Sequence, residues 1–466
     1  MFPARRLLRF LGNRRLPACA LCLVGVLSLG RVSSEAPAEK SAAPAGAEST
    51  RKALVGTPSC SALSCHGSIE ARPGATSDHN EVTLWSLRDP HARAFQVLED
   101  KQILRSKRSK EMAARLGLGD PRAEATCLAC HANPRTARKD AGMATKEERI
   151  WGVSCEACHG DAGAWLVEHT RPDWREATLE QKRAAGMIAP QDLTGLLKAC
   201  AGCHVGTPAA DGAPPRDVTH DLIAAGHPRM QFEASAFLAN LPPHWNADRA
   251  GRKGRSEGKV WAIGQVTAAQ AALELSKARR SEAWPELAEF SCYACHHDLQ
   301  PQSWRQQRDV LATKKGVAVR PGLTPWSDWY WLGPSVLAEK DLLDEPAFKA
   351  NLEKVRPALT PAKARTDGGP LEASLRRMLA AAERWNTGRS SAALKAWSAA
   401  LGESPDWEQA EQFYLGGVAL NEDARLKAWH DLLQSLAPRR AFVESPAAYR
   451  PDDVAPLLDA LRKAGP

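Results

Sequence analysis

Runs of alternating β-branched residues are almost absent from this 466-residue chain, which excludes barrels, sandwiches and wound sheets and leaves a mainly α protein. Tyrosine is scarce, with 4 against 15 tryptophans, and indole rings suit a protein that walls off large flat groups. A membrane-spanning run is missing too. The apolar stretch Leu16 to Gly30 falls short of the ~20 residues a spanning helix needs. It follows Arg5, Arg6, Arg9, Arg14 and Arg15 and precedes the small residues Val32-Ser33-Ser34. That is the order of a secretory signal, so residues 1–34 are expected to be a cleaved signal peptide that takes Cys19 and Cys22 with it. The chain is then exported, periplasmic or otherwise, with no stable membrane span. Excess charge is also lacking beyond that segment. The formal +8 includes six arginines before Glu35, which leaves 56 bases against 54 acids. Nucleic-acid binding thus loses its electrostatic support.

Residues 35–55, rich in Ala, Pro, Glu and Ser, read as a flexible leader. All ten remaining cysteines fall within 56–310. Inside that region Gly206 to Pro215 and Asn246 to Lys259 read as loops. Trp261 to Arg279 is expected to be helical, as is Leu222 to Leu241, with a break near Gly226-His227-Pro228. Residues 311–336 connect, and carry the cluster Trp326, Trp329, Tyr330 and Trp331. Residues 337–466 read as a C-terminal helical domain without a cofactor of its own. There Leu371, Leu375, Met378, Leu379 and Ala382 recur at helical spacing. Ser391 to Leu401 and Asp423 to Leu436 are further expected helices, and Ser404-Pro405-Asp406 is a good helix start before Trp407.

The cysteines carry the chemistry. Four C-x-x-C-H motifs are present: Cys127-Cys130-His131, Cys155-Cys158-His159, Cys200-Cys203-His204 and Cys292-Cys295-His296. Cys60-Cys65-His66 is a fifth with four intervening residues. C-x-x-C-H is the attachment signature of c-type haem. Two thiols a helical turn apart reach the two vinyl groups of one porphyrin, and the adjacent imidazole binds the iron. A disulfide or a zinc site would not require histidine directly after the second cysteine every time. Five covalently bound c-type haems are therefore expected.

Each low-spin iron also takes a sixth ligand. Eight histidines lie outside the motifs: His79, His91, His169, His220, His227, His244, His297 and His430. His430, alone in the helical tail, reads as a surface residue. His297 follows a motif histidine directly and cannot bind the same iron.

Gly152-Val153-Ser154-Cys155-Glu156-Ala157-Cys158-His159-Gly160, followed by His169, resembles the cytochrome c-554 family of multihaem cytochromes, relatives of the hydroxylamine oxidoreductase group. Trp85 to His91-Ala92 and Asp221 to Pro228 look like ligand segments of that family, and the likeness spans roughly 56–237. The resemblance implies a multihaem domain of short helices and long loops around stacked haems. It implies that His169 serves the first haem, His227 the third and His91 the fourth, and that the second, on His131, has an open sixth position. The family pattern has four haems. The fifth motif and the available His220 and His244 leave open whether the second iron is capped. Two functions are compatible with these features. One is an electron relay between redox partner proteins, in which the chain supplies binding and orientation. The other is a redox enzyme acting on a small nitrogen or sulfur compound at one open iron.

Overall fold

The computed structural model describes residues 54–72, 77–99, 106–139, 141–246, 255–279, 285–292, 295–296, 326–339, 341–355, 368–400 and 407–421, with residues 456, 459–460 and 463. The expected signal and most of the leader lie outside these residues. So do the start signal 404–406, the expected helix 423–436, His297 and His430.

Among the described residues there are helices, turns and three isolated bridges, and no strand. The first part of the chain is built from short helices. They include α1 (Glu81–Arg88), α2 (Ser106–Arg115), α3 (Ala125–His131), α4 (Cys155–His159), α5 (Leu193–His204), α6 (His220–Ala225) and α7 (Ala234–Asn240). Three of these end on a motif histidine: His131, His159 and His204. Gly226 ends α6 in the left-handed region, at φ 118°, where the lack of a side chain makes it the natural stop. Pro228 then prevents the helix from resuming, which accounts for the expected break between α6 and α7.

The long helix α8 (Glu257–Ala278) organises the rest. Its middle is buried on nearly every side, from Val260 through Ala269, as a helix surrounded by others must be. On one side it packs against α5 and α7. On the other it packs against α9 (Leu332–Leu337), α11 (Gly369–Ala382) and α13 (Trp407–Leu420). Between these last lie α10 (Phe348–Val355) and α12 (Thr387–Ala400). The expected spacing in 371–382 is the buried face of α11: Leu371, Leu375, Met378 and Ala382 are all 1% exposed or less. One continuous apolar core results, running from Leu193 and Leu197 on α5 through Trp261 and Leu375 to Leu420. Residues 46–466 form one unit.

Six tryptophans serve this core: Trp261, Trp326, Trp331, Trp385, Trp397 and Trp407. Trp261, Trp329 and Trp397 are fully buried, whereas Trp85, Trp165 and Trp245 are the described tryptophans at the cavity of the next section. Indole enrichment therefore reflects helix packing more than enclosure of flat groups.

Candidate cofactor site

The first four motifs converge on one cavity of about 1240 Å³. Cys60, Cys65, Cys127, Cys130, Cys155, Cys158, Cys200 and Cys203 line it together with His66, His131, His159 and His204. Four histidines from outside the motifs enter the same space: His91, His169, His227 and His244.

These eight rings form four facing pairs. His66 faces His169 at 6.2 Å between ring centroids, and His131 faces His227 at 6.3 Å. His159 faces His244 at 6.4 Å, and His204 faces His91 at 5.9 Å. Each pair joins one motif histidine to one other. Metal–imidazole bonds of about 2 Å on each side of one ion put the ring centres about 6 Å apart. The pairs thus fit one iron each. His169 and His91 stand opposite the histidines that the family likeness implies. His227 does not: it faces His131 of the second motif, and His244 occupies the place opposite His159. The αL turn at Gly226 aims His227 there. His244, which follows Pro242-Pro243, has no local signal that singles it out from His220.

The far side of most rings is held, so that Nε2 is left for the metal. Nδ1 of His66 meets Glu81 Oε2 at 2.9 Å, and Nδ1 of His91 meets Asp89 Oδ1 at 2.9 Å. Both carboxylates raise the pKa of their imidazole against the effect of burial. Backbone carbonyls take the same role for His131 (Ala94, 3.0 Å), His159 (Ile188, 3.3 Å), His169 (Leu166, 2.5 Å) and His227 (Pro228, 2.8 Å). His204 has no such partner, and burial pushes it down to about 4. Neutral imidazole is the ligating form, so burial favours binding there.

Sequence detail around the third motif now has a cause. The Glu156 carboxylate accepts from the backbone N–H groups of Val55, Gly56 and Ala162 at 2.7–3.1 Å. It thereby pins the start of the first motif to the third. Thr57 is held in the same way by Glu148, which accepts from its N–H at 3.0 Å and its hydroxyl at 2.6 Å. Gly152 has φ 66°, and a Cβ there would run into the His91 carbonyl. That carbonyl accepts from Val153 N at 3.0 Å, so glycine lets the third motif approach the ligand of the fourth.

Neighbouring motifs touch through their thiols. The Cys60 sulfur lies beside that of Cys155. The Cys130 sulfur lies beside that of Cys203, which Arg216 Nη1 also approaches at 3.7 Å. Cys158 lies close enough to Cys200 and Cys203 to feel their charge.

The fifth motif is elsewhere. Cys292 is half-buried, Cys295 and His296 are exposed, and none of them borders the cavity. His79 is turned away, its Nδ1 bonded to the Cys65 carbonyl at 2.6 Å. His220 also lies outside the cavity lining, its backbone N–H bonded to Glu286.

Paired thiols beside a histidine, with a second histidine one metal's width away, are a donor set that fits covalently attached c-type haem. Residues 59–160 match the family model of cytochrome c554 and c-prime. Over that segment, which holds the first three motifs, the chain is similar to that family. No curated protein and no solved structure matches it. No helix among the described residues is long and apolar enough to cross a membrane.

Proposed function

We propose that this chain is an exported pentahaem cytochrome that relays single electrons between redox partner proteins. The observation that carries the reading is His227 opposite His131. With it, each of the four motif histidines in the cavity has a second histidine facing it, so no iron held there would keep a position for a small substrate. Inner-sphere chemistry at such a site requires a ligand to leave first, whereas outer-sphere electron transfer requires nothing to leave.

Bound haem supplies a one-electron iron couple. The residues supply the rest. Paired histidines would hold each iron from both sides in either oxidation state, and Glu81 and Asp89 would tune the donor strength of their imidazoles. The thiol contacts order the four cavity sites as first, third, fourth, second. The fifth motif adds a site at the surface, where a partner protein has access. The signal-like residues 1–34 support export, consistent with the compartment in which c-type haem is attached.

Intact mass under denaturing conditions tests the cofactor number. The processed polypeptide should carry five haem masses, and four would remove the claim for Cys60 and Cys65 or for Cys292 and Cys295. Carbon monoxide added to the reduced protein tests the relay. No cavity haem should bind it, and stoichiometric binding at one of them would favour the enzymatic reading.

A further inference from the structure

The cavity motifs meet one another through thiols, but the fifth is joined to the rest through a charged side chain. Arg229 Nη1 donates to Cys292 Sγ at 2.6 Å and to Glu408 Oε1 at 2.7 Å, and Nη2 donates to Ser327 Oγ at 3.3 Å. Ser327 Oγ donates in turn to Glu408 Oε2 at 2.8 Å. Glu408 is 1% exposed and belongs to α13. An acid of the C-terminal helices therefore reaches beneath the inner edge of the fifth motif. Buried ion pairs are weak contributors to stability, because desolvation offsets most of the attraction. The location of this one is more telling. Arg229 stands two residues after His227, whose ring faces His131. Two residues of extended chain span about 7 Å, so one short segment carries both the second site's ligand and the side chain that holds Cys292.

We propose that Arg229 is a positioning residue that couples the fifth haem to the haem between His131 and His227, with Glu408 and Ser327 holding the guanidinium in place. The inference rests on the pentahaem reading. It extends the order of sites to first, third, fourth, second, fifth. Haem bound at the two sites would supply one-electron iron couples, with no bond or proton exchanged. The guanidinium, carried two residues from His227, sets a fixed charge against Cys292 and donates to the sulfur of the fifth motif, so it would act on both potentials at once.

Two variants test this: Arg229→Met combined with Glu408→Gln, which leaves no lone buried charge, and Arg229→Lys, which keeps the charge but loses the fork of donors. Haem number is read by intact mass. The potential of each haem is read by redox potentiometry, with haem-methyl NMR assigning the sites. In both variants the potentials of the haems on Cys127/Cys130 and Cys292/Cys295 should move, with the other three unchanged. Selective loss of the fifth haem from the double variant, with retention in Arg229→Lys, would also support the positioning role. Five unmoved potentials, a shift confined to one haem, or loss of haem at another site would overturn it. Fewer than five haems on the unaltered protein would instead overturn the pentahaem reading, a separate failure.

Discussion

His66 and His169 present their rings to each other nearly parallel, 16° apart. The other three pairs stand almost perpendicular, at 84°, 87° and 89°. Ring orientation matters because each imidazole π system acts on the iron d orbitals in its own direction. Parallel rings split the two π-type d orbitals, and crossed rings leave them nearly degenerate. The four cavity haems of the oxidised protein should therefore give one rhombic low-spin signal by electron paramagnetic resonance, assigned to the first haem, and three strongly axial signals with large g. His169→Ala should abolish the rhombic signal and produce a high-spin one while the covalent haem is retained. A spectrum with no rhombic component would contradict the first pair.

Removing the cap from the second site should open one iron. His227→Ala is expected to give a single high-spin haem that binds carbon monoxide in the reduced state. Resonance Raman spin-state markers should place the change at the Cys127/Cys130 haem. His244→Ala should do the same at the Cys155/Cys158 haem. A change at the third haem in the His227 variant would restore the assignment implied by the family likeness.

Glu81 sits behind His66. Burial alone would raise its carboxyl, but hydrogen bonds with His66 and the backbone hold it below the ordinary value. An ionised acceptor on Nδ1 strengthens the imidazole as a donor and favours ferric iron. Glu81→Gln should therefore raise the reduction potential of one haem and leave the others in place, as read by spectroelectrochemistry. An unchanged set of potentials would make Glu81 a tether only.

Glu233 predicts a pH effect with a definite sign. It caps α7 by accepting from Ser235 and Ala236, and burial pushes its carboxyl from 4.5 up to about 7. Between those two values the folded state binds more protons than the unfolded, so this group's effect is to lower stability as pH rises. Glu233→Gln keeps a capping oxygen and removes the charge. Thermal melts across pH 4 to 8 should show the variant gaining on the parent as pH rises, and parallel curves would refute the assignment.

Trp397 tests the shared core. It is 1% exposed, lies edge-on to Trp261 at 5.1 Å between centroids, and donates from Nε1 to the Phe413 carbonyl at 3.1 Å. Trp397→Ala should cost about 3–5 kcal/mol. Leu197, on the helix that ends in His204, belongs to the same core. The haem absorbance and the far-ultraviolet signal should thus fall together in one transition. Separate melting of the helical signal would show that the C-terminal helices fold on their own.

The attachment motifs are legible in the sequence because their chemistry needs contiguous residues. Cys200, Cys203 and His204 must share one turn, whatever the rest of the chain does. The facing histidines need no such local pattern. His244 arrives opposite His159 from 85 residues away, and nothing around it marks it more than His220 is marked. His227 was placed at the third haem by likeness, but the turn at Gly226 sends it to the second. Local sequence located α8 through its helix-forming Ala, Gln and Leu, and α11 through its apolar spacing. It carries no record of which neighbours those faces meet, so the contact of α8 with the motif-bearing α5 came from the fold alone. The Trp-rich composition is silent for a similar reason: a count of indoles does not say which of them line the cavity and which fill the core.

In the proposed order of sites, the motif nearest the amino terminus and the one nearest the carboxyl terminus are the two extremes, because the chain doubles back between Cys155 and Cys130. A protein that gives electrons at one extreme leaves the other uncovered. Donor and acceptor can then be bound in a single ternary assembly, without taking turns on a common face. The rate of delivery would not be limited by dissociation of the first partner before the second arrives.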